Sequence, residues 1–470
     1  MRLNKIISVL IIGTIVGLVS SCANTDVNTG SVLENAGAPT VLGYGVEGGI
    51  TLLWDEPAGT SSIHIGRNGN YTTVASGLNT YTVTGLNNNK EYTFYIYAED
   101  PSGGKTYPAT VQVTAGGTPV LRVMSYFLSS SNTVAENSLR LCFTTDGLNW
   151  TAFNDNNAVF ELTTIGGNRI RDPYIVKKSD GTYLMIATDW TLYGTDDAVS
   201  TSYWSNPTSC LIFADSSDLT SFTNERQIQM VSDSINETRS NNGYAKMYCW
   251  APEVIQYDNG DTVYTDSDES TYQYGVIWSG KGSLDGTSNS QEYTYVNYTN
   301  DFETFTAPVE FFDAGYSQID ASVIYDGNKY YYLFYKEESY SWDVAVARST
   351  SLDPASFSIY YDFSHLAGES VTSGSGMNVT YNDVNTTYDQ AEGPFCFKPY
   401  DDEDLWYLYA DCYNQSTFGT WTTTDLSSVP DTWTELTVGT DTSFPDGLRH
   451  GSTVPVTNDQ IVKMIQTYGL

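Results

Sequence analysis

Histidine is nearly missing from this chain of 470 residues, which has only His64, His365 and His450. No HExxH helix signature and no CxxC pair accompanies them, so zinc catalysis has no ligand set to work with. Past Cys22 there are five cysteines, Cys142, Cys210, Cys249, Cys396 and Cys412. They are odd in number and widely spaced, which is no disulfide framework and suits buried small apolar side chains. No GxSxG, Walker or GxGxxG motif stands at a strand-to-helix junction, which argues against nucleophile elbows and nucleotide loops. Beyond the first 22 residues no apolar run reaches the roughly 18 residues of a membrane-spanning helix. Basic residues are scarce as well, 21 against 56 acidic ones, for a net charge of −35. A field of that sign repels phosphate backbones, so nucleic acid is excluded as a partner and neutral substrates are favoured.

Aromatic residues are what the chain has in excess, at 14%, including 37 Tyr and 10 Trp. Flat rings stack on sugar rings, but Tyr is also a favoured strand residue, so the excess alone decides little. At the N-terminus Arg2 and Lys5 precede an apolar stretch, 6–19, that ends in Ser20-Ser21-Cys22. Charge, length and small-residue end read as a secretory signal. The Cys directly after the small residues resembles a bacterial lipoprotein signal with Cys22 lipidated; an ordinary signal or an uncleaved anchor is the alternative. The expected product is exported and held at a bacterial membrane, outer membrane or cell surface, by lipid only.

The main organising feature is a five-fold recurrence over the last 350 residues or so. Its entrances are Arg171-Asp172-Pro173-Tyr174, Trp250-Ala251-Pro252-Glu253, Ile319-Asp320-Ala321-Ser322, Ala391-Glu392-Gly393-Pro394 and Arg449-His450-Gly451-Ser452. Each opens an aliphatic or aromatic run, and four continue through an Asp/Asn/Gly turn region, a hairpin signal. A second recurrence, with strands ending in small polar residues followed by an apolar residue and an aromatic, interleaves at unequal spacing. Fixed units with variable loops imply a propeller or solenoid, and five units of about four strands fit a five-bladed β-propeller. A long β-sandwich with chance similarity is the competing fold. After the last entrance only one strand, 453–456, remains, while 120–127 and 139–143 are orphan strands ahead of the first full unit. Pairing them would close the ring and remove free edges. Thr457 and Gln460 then read as a helix cap before a short amphipathic tail.

Residues 23–37 are a flexible tether by composition. Residues 38–116 alternate as a small β unit. Leu86 ahead of Tyr92, which opens a long strand, and Trp54 in the core resemble a fibronectin type III domain, a sandwich of about this size. Its expected role is a spacer, with carbohydrate binding as the alternative. The expected organisation is therefore all-β: a leader at 1–22, the tether, the sandwich at 38–116 and the propeller at 118–470.

Asp172, Asp320 and Glu392 would meet only in a propeller, where each unit's first strand begins at the central axis. Any one of them alone would read as a turn or cap residue. Two carboxylates flanking a bond are the equipment of glycoside hydrolysis. With Arg171-Asp172-Pro173-Tyr174, Trp250-Ala251-Pro252, Asp320-Ala321-Ser322, Glu392-Gly393-Pro394 and His450-Gly451-Ser452 in order, the chain resembles glycoside hydrolase family 43. The likeness covers about 118–470. The resemblance implies an inverting glycosidase acting on arabinofuranosyl or xylosyl linkages of neutral plant oligo- or polysaccharides. It implies Asp172 as general base, Glu392 as general acid and Asp320 as a second acid that orients and tunes. It also implies Trp250 and Ala251 in the sugar pocket, and His450 on the axis beside a calcium ion or water cluster, with no cofactor required. Asp320 is expected to keep Glu392 protonated by like-charge repulsion. Glu253 is a fourth acid for the rim or the substrate, and Arg171 pairs with an acid or contacts substrate. The base motif sits some 50 residues into the domain, later than the family's usual place. Two other readings stay open: a non-catalytic sugar-binding propeller, and a retaining β-fructosidase-like enzyme of the same clan.

Overall fold

The computed structural model describes residues 32–34, 36–128, 133–190, 208–257, 260–339, 344–361, 379–381, 384–386, 391–400, 404–413, 417–428 and 433–470. The leader with Cys22, and turn residues such as Asp258, Asn259 and Asp401, lie outside them. The chain divides into two compact units, one made of residues up to Leu121 with Thr457–Leu470, the other of Arg122–Val456.

Period-two alternation builds the first unit. Ile63 and Ile65 turn inward from the strand Ser62–Arg67 while His64 turns out, and Phe94, Ile96 and Ala98 do the same in Glu91–Glu99. Ser62–Arg67 and Glu91–Glu99 pair centrally in a four-stranded sheet flanked by Asn70–Ala75 and Ala109–Thr114. A three-stranded sheet of Val41–Val46, Gly49–Trp54 and Thr80–Thr84 supplies Ile50, Leu52 and Trp54 to the same core. The Tyr92 hydroxyl accepts a bond from Asn87 N (3.0 Å), five residues upstream. The helix Asn458–Tyr468, opened by a Thr457–Gln460 capping box, belongs to this unit. Asn458 accepts from the Tyr44 hydroxyl, and Gln466 donates to Gly77 O.

The second unit holds five four-stranded antiparallel sheets. In each, one edge is the strand that opens at an entrance: Ile170–Lys177, Trp250–Ile255, Gln318–Tyr325, Glu392–Phe397 and Leu448–Pro455. These five strands neighbour one another in a closed cycle. Closure follows the pairing anticipated from the orphan strands: Leu448–Pro455 pairs with Arg122–Leu128, Arg122 opposite Pro455, and the sheet continues through Arg140–Thr144. The apolar cores lie between successive sheets. One joins Leu184, Ile186 and Phe213 to Val276, Trp278 and Tyr295, and the next joins Ile277, Val296 and Tyr298 to Leu333 and Tyr335. Strands covered on both faces open as apolar runs, as Tyr183–Asp189 and Trp406–Cys412 do over their first five residues. Much of the tyrosine excess is spent here, since Tyr126, Tyr183, Tyr295, Tyr298, Tyr332, Tyr335 and Tyr409 are fully buried. The five cysteines of the described residues are free, and all but Cys210 are buried.

Candidate active site

Every entrance breaks the ladder at the same place. The register slips between Arg171 and Tyr174, Trp250 and Glu253, Ile319 and Ser322, Glu392 and Phe395, and Arg449 and Ser452. Such bulges re-aim side chains at sheet ends. The residue just inside each slip sits in the left-handed region: Asp172 (φ 49°), Ala251 (46°), Asp320 (59°), Gly393 (53°) and His450 (28°). Four of the five are not glycine, and each such residue costs roughly 1–3 kcal/mol. Strain repeated at one level of the fold marks that level as functional.

Asp172 and Asp320 therefore occupy equivalent positions, but Glu392 does not. By ladder register it stands level with Arg171, Trp250, Ile319 and Arg449, and Gly393 holds the bulge. The expectation of three acids at equivalent points is corrected to two plus one, because a one-residue step along a strand turns the side chain to the other face. Glycine is required at 393: a Cβ there would come within 2.7 Å of the His450 ring.

His450 gathers the acids. Its Nδ1 lies 3.4 Å from Asp172 Oδ1 and 3.7 Å from Asp320 Oδ2. The other Asp172 oxygen accepts from Thr188 Oγ1 (2.7 Å), and Asp320 Oδ2 accepts from Gly393 N (3.1 Å). Glu392 stands between two cations: Lys336 Nζ donates to Oε2 at 2.9 Å and Arg449 Nη2 donates to Oε1. Lys336 also bridges to Glu338 (2.7 Å), and Arg449 Nε donates to Asp411 Oδ2 (2.6 Å).

These contacts fix the charges. Burial opposes ionisation of Glu392, but Lys336 and Arg449 outweigh it and hold the carboxyl down at about 2. Asp320 goes the other way, pushed up to about 7 by burial first, with Glu392 and Asp172 adding repulsion against His450 and Lys336. Burial likewise pushes Glu253 up to about 8, against hydrogen bonds from Ser322 and Val323 N. Burial works against the charge on His450, yet the surrounding Asp172, Asp320, Glu392 and Asp411 raise its basicity overall. The expected direction for Glu392 is therefore reversed: two cations at bonding distance favour its charged form, whereas Asp320 meets only the His450 imidazole, at 3.7 Å.

The remaining anticipated residues form one wall. The Arg171 guanidinium lies 3.9 Å from the centroid of Trp190, with Nε donating to Asn137 Oδ1 (2.8 Å). Trp250 stacks on Tyr248 at 3.7 Å and tilts toward Trp190 at 6.3 Å. Ala251 is buried and contributes its N–H to Thr188 Oγ1 (2.9 Å). A calcium ion takes six to eight oxygen ligands. Around His450 the carboxylate oxygens are engaged with Thr188, Gly393 and the imidazole, and no metal-holding group of His, Cys, Asp or Glu occurs among the described residues. These residues do not fit a calcium held by His450.

Sequence reasoning missed Thr188, Trp190, Ser279, Lys336 and Asp411, and gave Arg449 no role. A repeated signal was present, since each apolar second strand has a residue opposite the first motif position: Thr188, Ser279, Lys336, Asp411 and Phe127. Each serves the next entrance round the cycle. Thr188 accepts from Ala251 N, Ser279 Oγ accepts from Asp320 N (2.9 Å), and Lys336 binds Glu392. Asp411 accepts from His450 N (3.0 Å), and Phe127 lies under Arg171 at 5.5 Å.

Comparison with known proteins agrees with a carbohydrate-active site. Residues 121–461 match the model of a family-43-related group described as a probable glycosyl hydrolase domain. Among solved structures, a thermostable family-43 glycoside hydrolase is 19% identical with a TM-score of 0.34, over 58% of this chain and 73% of that one. An exo-β-1,3-galactanase from Phanerochaete chrysosporium, solved with β-1,3-galactotriose, is 12% identical with a TM-score of 0.39, over 73% of this chain and 60% of that one. A β-xylosidase/α-arabinofuranosidase from a compost microbial metagenome is 13% identical with a TM-score of 0.38, over 59% of this chain and 79% of that one. No curated protein matches the chain in sequence. The family model spans most of the chain and all five bulged entrances, so this protein belongs to the family-43-related glycosyl hydrolases.

Proposed function

We propose that the chain is an inverting glycosidase that removes arabinofuranosyl or xylosyl groups from plant-type oligo- or polysaccharides. The observation that carries this is the meeting of Asp172 and Asp320 at His450, with Glu392 brought alongside through Gly393 and Arg449, the neighbours of Asp320 and His450 at the bulged entrances. The cyclic order of five four-stranded sheets supports reading the second unit as a five-bladed propeller. Strand order and the Tyr92 corner support a fibronectin type III-like first unit.

In this reading Asp172 takes the proton from the attacking water, held by Thr188 through one oxygen with the other facing His450. Glu392 delivers a proton to the leaving oxygen, and the wall of Arg171, Trp190 and Trp250 takes the sugar face. Asp320 keeps that proton before substrate binds and supplies it once substrate excludes water. A second reading has a specific observation behind it: Asp320, raised to about 7, is itself the acid, and Glu392 is a fixed anion that positions Lys336 and Arg449.

Stereochemistry tests the class. Inversion needs roughly 6.5–9.5 Å between the acid and base carboxyls, room for a water. Proton NMR of the first-formed product from nitrophenyl arabinofuranosides or xylosides should show the anomer opposite to the substrate. A retained anomer would favour the β-fructosidase-like alternative, and no turnover across the panel would favour a sugar-binding propeller. Anchoring through Cys22 is a separate proposal, resting on the Ser20-Ser21-Cys22 end of the leader. Cys22→Ala should move the protein from the membrane to the soluble fraction, and persistence at the membrane would overturn it.

A further inference from the structure

The outer face of the four-stranded sheet in the first unit carries aromatic side chains where a spacer needs none. On this face Tyr71 of Asn70–Ala75 and Tyr95 of Glu91–Glu99 both pair with Gly66, one on each side. Tyr71 is 56% exposed and Tyr95 45%. The glycine shapes the surface. A Cβ at 66 would meet the Tyr71 ring at 2.4 Å, so the ring lies across the strand in the space that the missing side chain leaves. Two residues along on the same face, Tyr97 stacks on His64 (4.6 Å, 13°) and meets Tyr71 edge-on at 5.7 Å. Polar groups border the rings: Glu99 bridges His64 (3.0 Å) and Lys105 (3.5 Å), Lys105 lies over Tyr97, and Gln112 donates to Thr93.

We propose that this tyrosine face is a binding platform for a neutral polysaccharide chain, a second carbohydrate site apart from the bulged entrances. Exposed ring faces stack on the apolar faces of sugar rings, and Gln112, Thr93 and Glu99 can bond hydroxyls at the border. The strands flanking Ser62–Arg67 lie about 10 Å apart, a span of about two sugar rings. The net charge of −35 disfavours a polyanion. A single protein partner or a second copy would be expected to need a larger apolar face than two exposed tyrosines with a charged border. The choice of a glycan rests on the glycosidase reading of the second unit.

The test uses the full chain in native gels cast with soluble arabinoxylan, xylan or arabinogalactan. The wild type should be retarded in at least one of them. Tyr71→Ala/Tyr95→Ala should lose about tenfold or more in affinity, the loss of about 1.4 kcal/mol of stacking. Gly66→Val, which keeps both tyrosines but pushes the Tyr71 ring off the strand, should lose binding too. Both variants should keep the melting temperature and the turnover of small nitrophenyl glycosides. Equal retardation of wild type and variants, or none for the wild type, would overturn the platform. So would sedimentation showing a wild-type dimer that the variants lose, since the face would then join copies of the chain. If the glycosidase reading fails while the platform holds, the wild type is inactive on nitrophenyl glycosides yet still retarded, and the variants are not.

Discussion

Asp172→Asn is expected to lose about 10²–10⁴-fold in kcat on nitrophenyl glycosides, the usual contribution of a positioned acid or base. It should regain nothing on dinitrophenyl glycosides, because water activation is still missing. The informative pair is Glu392→Gln and Asp320→Asn, shape-conserving changes that separate charge from packing. A leaving group that needs no proton bypasses the acid, so the acid's variant recovers on dinitrophenyl substrates to within about tenfold of wild type. Recovery of Glu392→Gln alone supports the first assignment, and recovery of Asp320→Asn alone supports the second. Equal behaviour of both would sink each. The pH profile adds a sign. Asp320 is pushed up to about 7, so wild-type kcat/KM should fall above about pH 7. In Asp320→Asn the remaining carboxyl, Glu392, is held at about 2, so the alkaline limb should move strongly toward acid. An unmoved limb would show that the shared proton does not reside on Asp320.

Arg449→Met should be the most destabilising single change at the site. Asp411 is fully buried and accepts from Arg449 Nε and His450 N, while its Oδ1 has no hydrogen-bond partner among the described residues. Removing one partner of a buried pair costs about 3–5 kcal/mol, because the other charge is left uncompensated. Burial already raises the Asp411 carboxyl despite Arg449, and losing the guanidinium raises it further. The folded variant then binds a proton more readily than the unfolded chain, whose Asp titrates near 3.9. Between those two values the folded state holds more protons, so stability falls as pH rises. Thermal unfolding should show a small deficit near pH 4.5 and a larger one near pH 7.5. Asp411→Asn in the same chain should restore part of the loss. A deficit that does not change with pH, or no deficit at all, would mean that Asp411 is not charged in the native protein.

The fold was legible because its signals are local and repeated. Five motif entrances, turn residues between apolar runs, one leftover C-terminal strand and two orphan N-terminal strands specify a ring almost without tertiary information. The Thr457–Gln460 cap was legible for the same reason. The site was legible at the level of which residues meet, and less so for what they do. Glu392 looks equivalent to Asp172 and Asp320 in the motifs, and only the bulge register shows it one residue out of step. Its charge state depends on Lys336 and Arg449, 56 and 57 residues away along the chain. Lys336 and Asp411 follow apolar runs near the ends of their strands, so they read as strand ends rather than as side chains reaching the next sheet. Tyrosine abundance alone decided little, because many tyrosines fill space between sheets, and the informative ones are the few exposed on the first unit.

The order in which the sheets are joined bears on when the site comes into being as the chain is made. The strand Leu448–Pro455 brings Arg449 and His450, and it pairs with Arg122–Leu128; the Arg122–Thr453 contact is 331 residues apart in sequence. During synthesis, a chain that has emerged only through Glu392 already carries Asp172 and Asp320. It lacks the imidazole that faces both aspartates and the guanidinium that pairs with Glu392. Without those cations the clustered carboxyls are poorly compensated, Glu392 keeping Lys336 alone, so closing the partly made ring is less favourable. The last strand both seals the sheet and supplies the missing positive charge. Assembly and chemical competence thus arrive together, and a chain cut short before residue 449 would be expected to be open as well as inactive.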